Sequence, residues 1–291
     1  MTNVDNLSID ELVQLAAAAE DQSVTTSGGD FVREIPVAGK TVARFIEYVE
    51  LGVHAQKAFK GKEKPDVEYV RVAFELNSPK HVKEIELEGG IKKNVANIQS
   101  LTLAKKFGEK AAYKKLFNKM TYGRENIKHM AQMLGQGFII EIVHNVVGEG
   151  ADQKTYANMA SKDGEWFISA PRVENPLTGD VTPIPVPDAL NPKRVFLWDN
   201  PNKPTWDSLF IDGTRTVKDE KGVDKEVSKN WIQEKVKSAK NYAGSPLSKM
   251  LGGIVVVEEK IVEATNTAIA KADAPKAEDL PKEEAFDPMA A

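Results

Sequence analysis

Two runs rich in β-branched and aromatic residues, "TVARFIEYVEL" at 41–51 and "DVEYVRVAFEL" at 66–76, flank the lysine-studded stretch "GVHAQKAFKGKEKP". Branched and aromatic side chains fit a pleated, half-buried surface, so both runs predict strands, and Gly52 is a natural stop for the first. Successive strand residues point to opposite sides. In the second run this puts Val70, Val72, Phe74 and Leu76 in a core and Tyr69 and Arg71 on the other face. In the first, the parity that turns Ala43, Phe45, Val49 and Leu51 inward turns Arg44 and Tyr48 outward, although Glu47 then faces in and Ile46 out.

The rest of the body carries further strand and helix signals. "EIELEGGIKKNVANIQSL" reads as a hairpin turning at Gly89 and Gly90. The stretch 104–134 is helical in composition, with Phe107, Leu116, Phe117 and Met120 as inner residues. "GFIIEIVHNVV", the turn "GEGADQ" and "KTYANMAS" form strand, turn and strand, and the Pro-rich stretch 175–193 is extended or irregular. Beyond it come a strand "RVFLW", a loop with Trp206 and an amphipathic helix within "SKNWIQEKVKSAKNY". The body is therefore mainly β with helical additions. It is expected over 30–253, with an elaborated C-terminal part.

Its flanks differ in character. Ser8 and Glu11 make a capping box for a helix over 8–20, and the Ser/Thr/Gly stretch after it is a flexible link, so 1–29 stand apart. Residues 254–291 end in a charged, Pro-punctuated segment expected to be a disordered acidic tail. The formal net charge is -4, yet between Lys57 and Lys128 basic residues outnumber acids by roughly two to one. A basic middle thus meets an acidic end.

That middle carries the candidate site. Sequence-tolerant binding of a single strand needs cations that track phosphates and aromatic faces on which bases stack. Arg44, Lys57, Lys60, Lys62, Lys64 and Arg71 supply the first, and Tyr48, Phe59 and Tyr69 the second. A second basic patch runs through Lys105, Lys106, Lys110, Tyr113, Lys114 and Lys115. The bland alternative is a solvated loop and a solvated helix face. Enzyme chemistry has weaker support. With no cysteine there is no thiol nucleophile, and the four histidines lack metal-ligand spacing. "FKGKEK" lacks the frame of a phosphate loop, and "GEGADQ" the strand-to-helix context of a dinucleotide fingerprint. No catalytic residue, metal or cofactor is expected, nor any membrane span, because no apolar run reaches about 18 residues.

The order "GKTVARFIEYVELGVHAQKAFKGKEKPDVEYVRVAFEL", "NIQSLTLAKK", "LGQGFIIEIVHNVVGEGADQKTYANMAS" and "KVKSAKNYAGSPL", over roughly residues 38–248, resembles tailed-bacteriophage single-stranded DNA-binding proteins. The resemblance implies an OB-fold, a Greek-key barrel that binds oligonucleotides through its face and two of its loops. Carried onto this chain, those loops are 52–65 and the "VVGEGADQKT" turn, with Lys154 and Tyr156 at its exit; Tyr156 is either a stacking residue or barrel core. It also implies a tail that recruits phage replication proteins, here through Glu283, Glu284, Phe286 and Asp287, although such tails end in the aromatic and Phe286 is followed by "DPMAA".

The expected function is coating of single-stranded DNA in phage replication or recombination, in the cytoplasm of the infected bacterial host. The alternatives are a strand-annealing recombination protein, oligomerised through the N-terminal helix, and a virion or assembly protein with no nucleic-acid role.

Overall fold

The computed structural model describes residues 35–58, 61–87, 90–148, 153–218 and 223–252. The predicted helix over 8–20, its link, Phe59, Lys60 and the acidic tail lie outside them.

The two predicted strands are present as β1 (Gly39–His54) and β2 (Val67–Leu76), antiparallel neighbours. β3 (Val82–Leu87) and β4 (Ile91–Ala96) form the expected hairpin, but the chain then leaves it. β5 (Ile98–Ala104) returns to pair with β2. Helix α1 (Ala112–Thr121) comes next, far shorter than the helical composition of 104–134 predicts. β6 (Gly137–Val147) pairs with the first part of β1, and β7 (Lys154–Asn158) pairs with β6. The main antiparallel sheet therefore runs β5-β2-β1-β6-β7, with the two-residue β8 (Ile168–Ser169) also on β6.

This sheet is not closed by a ladder between its edges. One side chain spans them, the Gln99 amide donating to the Ala157 carbonyl at 3.0 Å.

The inner face holds the first core. Phe45, Tyr48, Val70, Val72, Phe74, Phe138 and Ile140 are fully buried in it, and α1 turns Tyr113, Leu116 and Met120 toward them at helical spacing. Each such large apolar side chain contributes about 1.5–3 kcal/mol when fully buried. The Trp166 indole N–H donates to the Ala112 carbonyl at 2.9 Å, tying down the start of the helix.

The outer face of β1 and β2 is covered as well. After the exposed hairpin of β9 (Arg172–Glu174) and β10 (Val181–Pro183), the chain crosses that face and enters β11 (Arg194–Phe196). β11 lies parallel to the second half of β1, matching Glu47 with Arg194 and Val49 with Phe196. A second core forms there from Val49, Leu51, Phe196 and Trp198, with Trp206 of α2 (Lys203–Asp207) and Ile232 and Val236 of α3 (Trp231–Lys237). The hairpin of β12 (Thr214–Lys218) and β13 (Asp224–Ser228), which the sequence does not predict, and helix α4 (Pro246–Met250) complete the described chain.

Gly52 is required where β1 meets this second core. Its φ is +82°, and an added Cβ would lie 2.5 Å from the Trp198 ring and 2.6 Å from the Ala239 Cβ.

Candidate nucleic-acid interface

Tyr48 does not face outward. In the β1/β2 register Phe45 opposes Phe74 and Glu47 opposes Ala73, so Ile46 is an extra residue that reverses the parity of the strand beyond it. Tyr48 then shares the inner face with Phe45 and is fully buried. Its hydroxyl donates to Glu50 at 3.1 Å and lies 3.3 Å from the Tyr113 hydroxyl. It has no face free for a base. The same bulge accounts for the misfit of Ile46 and Glu47 with simple alternation.

Arg44 and Arg71 do point to the outer face, but each is engaged within the protein. Arg44 donates to the carbonyls of Gly135, Val186 and Pro187 at 2.6–2.8 Å. Arg71 donates to Glu47 at 2.6 Å and lies over the Trp231 ring, 4.9 Å from its centroid. Beside them the fully buried Glu75 accepts the backbone N–H groups of Leu190 and Asn191. These charges fasten residues 186–194 across the sheet, so both arginines, expected at phosphates, serve internal contacts here. Tyr69 is half-buried against the second core, its ring centroid 6.3 Å from that of His54.

The loop between β1 and β2 remains at the surface. Lys57 and Lys62 are exposed and Lys64 is half-buried. The Gln56 amide donates to the Pro65 carbonyl and closes the loop's base. The same side chain accepts Lys106 Nζ at 3.3 Å, joining the loop to the residues just after β5. The two lysine-rich segments of the sequence therefore meet at one end of the sheet.

The other predicted contacts are elsewhere. Lys154 is exposed and Tyr156 half-buried on the edge strand β7. Because β6 runs antiparallel to β1 from Arg44 back to Gly39, the β6–β7 turn lies beyond the start of β1, whereas the β1–β2 loop leaves from its end. The sheet register does not bring the two loops together.

A polar cluster underlies the basic end. Glu50 accepts Lys105 Nζ at 2.7 Å and the Trp198 N–H at 2.8 Å, with His129 Nε2 3.8 Å away. Burial would raise its pKa, but His129, Lys105 and the Trp198 N–H outweigh it and hold the carboxyl down at about 2. Lys105 is thereby used internally, with Glu68 a further 3.6 Å partner. Burial pushes the Tyr48 and Tyr113 phenols up.

Phe107 corrects a second expectation. It is not an inner residue but is 67% exposed, standing between Lys106 and the exposed Lys110. Composition places it on an inner helix face, yet residues 105–110 precede α1 and are not helical. A Gly directly after the aromatic is the available sign of a break.

Among the described residues, no group of three or more His, Cys, Asp or Glu side chains could hold a metal ion, and no helix is long and apolar enough to cross a membrane. Compared with protein-family models, curated proteins and solved structures, the chain matches none of them.

Proposed function

We propose that this chain binds single-stranded DNA without strong sequence preference and coats it during phage replication or recombination, acting as a non-catalytic protein in the host cytoplasm. The observation that carries the reading is the Lys106–Gln56 contact, which gathers Lys57, Lys62, Lys106 and Lys110 at one end of the sheet. Cations so grouped can track a phosphate backbone.

The connectivity supports it. Three strands, a helix and two strands in the order β5-β2-β1-β6-β7, with Gln99 reaching from one edge to the other, are what a partly open Greek-key barrel of the OB type would have. In that reading the residues fastened across β1 and β2 occupy part of the barrel's usual binding face. The DNA path then shifts to the β1–β2 loop and the segment after β5. The acidic segment that includes Glu283, Glu284, Phe286 and Asp287 would be left to dock replication proteins.

The test is a titration with oligo-dT and with duplex of equal length, monitored by tryptophan fluorescence at several salt concentrations. Preference for the single strand, with log K falling against log[salt] by about 0.7 per phosphate contacted, is expected. No binding to either, also after removal of residues 273–291, would sink the proposal.

A further inference from the structure

We infer that Phe107 is the stacking platform of this interface, taking the face of an unpaired nucleobase while Lys106 and Lys110 hold the flanking phosphates. The inference rests on the single-strand reading above and deepens it.

A large aromatic ring left 67% exposed forgoes burial that would stabilise the fold. Phe107 is also held in place. Its ring meets that of Tyr113 edge to face, with centroids 5.8 Å apart and planes at 88°. Tyr113 is 3% exposed, and its hydroxyl lies 3.3 Å from that of buried Tyr48. The platform is therefore backed by the first core, and a base landing on it would have little side-chain freedom to freeze out.

The segment around the ring is exposed from Phe107 through Lys110, and a Cβ built on Gly108 would meet no other part of the chain within 4 Å. Lys106 connects the platform to the β1–β2 loop through Gln56, extending the cationic path toward Lys57 and Lys62. Glu109 is the one acid within 105–110.

Phe210 supplies an internal contrast. It is 54% exposed, but residues 207–212 around it hold no Lys or Arg, only Asp207, whose charge Lys203 bridges at 2.6 Å, and Asp212. Exposure alone thus does not single out Phe107. The pairing of an exposed ring with adjacent cations does, because every base has a π face and stacking needs no base-edge readout.

The experiment uses the full chain with oligo-dT and with an abasic oligomer of the same length. Phe107→Leu keeps apolar contact with Tyr113 but removes the π face. It should weaken oligo-dT binding between about fivefold and about 150-fold and leave abasic binding unchanged. Phe210→Leu should change neither. Phe107→Tyr, which retains a stacking face, should bind oligo-dT like the parent, and this separates a stacking loss from a folding defect. If Phe107→Leu binds oligo-dT as tightly as the parent, weakens both oligomers equally, or is matched by Phe107→Tyr, the platform is overturned. A parent chain that binds no single strand would instead remove the functional reading itself.

Discussion

Arg71 Nε donates to Glu47 Oε1 at 2.6 Å on the outer face of the sheet, and Arg194 lies 3.7 Å from the other oxygen of that carboxylate. The Glu47 side chain is only 6% exposed. Removing one member of a buried pair strands the other charge away from water, which typically costs about 3–5 kcal/mol. Arg71→Ala should therefore destabilise the protein by about 3 kcal/mol, the lower end because Arg194 remains. Denaturant unfolding measures it, and a loss below about 0.5 kcal/mol would mean that solvent reaches Glu47 freely.

Stability should fall in two acidic windows. Burial and the nearby Lys235 lower the His54 pKa from 6.5 to about 4, against the Leu51 carbonyl and Asp66, which favour the charged form. Between those values the unfolded chain binds more protons than the folded one, so stability drops as pH falls from 6.5 toward 4, by on the order of 3 kcal/mol. Glu50, held at about 2 against an ordinary 4.5, contributes stability that is present above 4.5 and lost as pH falls through 2. His54→Gln should flatten the first window and Glu50→Gln the second in unfolding curves recorded across pH. Unchanged curves would refute the assignment.

Gly52→Ala should cost about 2 kcal/mol or more, because it adds left-handed backbone strain to a steric clash. The built Cβ meets Trp198 and Ala239, both packed in the second core. A thermal midpoint equal to the parent's would show that Trp198 can move aside.

Replacing Lys57 and Lys62 with Ala should weaken oligo-dT binding and reduce the salt slope by about 0.7 for each lysine that touches a phosphate. Both side chains are exposed, so the unfolding midpoint should hold. A parental slope in the double variant would remove the β1–β2 loop from the path.

Tyr48→Phe should lower stability by about 1 kcal/mol through loss of its hydrogen bond to Glu50, with the ring's packing kept. It should leave oligo-dT affinity as it was. A loss of affinity without a loss of stability would contradict the buried placement of Tyr48.

The sheet's principal strands are legible in the sequence because their periodicity is local. Val70, Val72, Phe74 and Leu76 all face the first core as alternation requires. Tyr48 defies simple alternation because one extra residue, Ile46, reverses the side chains from there to a second register shift after Glu50, and a bulge leaves no mark in composition. The fates of Arg44 and Arg71 are hidden for another reason. Their partners, from Gly135 to Trp231, lie tens to well over a hundred residues away, and no local pattern encodes such pairings. Phe107 reads as helical because the lysine- and alanine-rich composition after Ala104 runs on across the point where the helix actually starts, at Ala112.

One sixteen-residue strand gives Ala43, Phe45 and Tyr48 to one core and Val49 and Leu51 to the other. The part of the chain that covers the outer face is thus no accessory that could be exchanged between proteins like a cassette. Any insertion or deletion in β1 would be felt on both sides of the sheet at once, so neither core can change its register on this strand without the other.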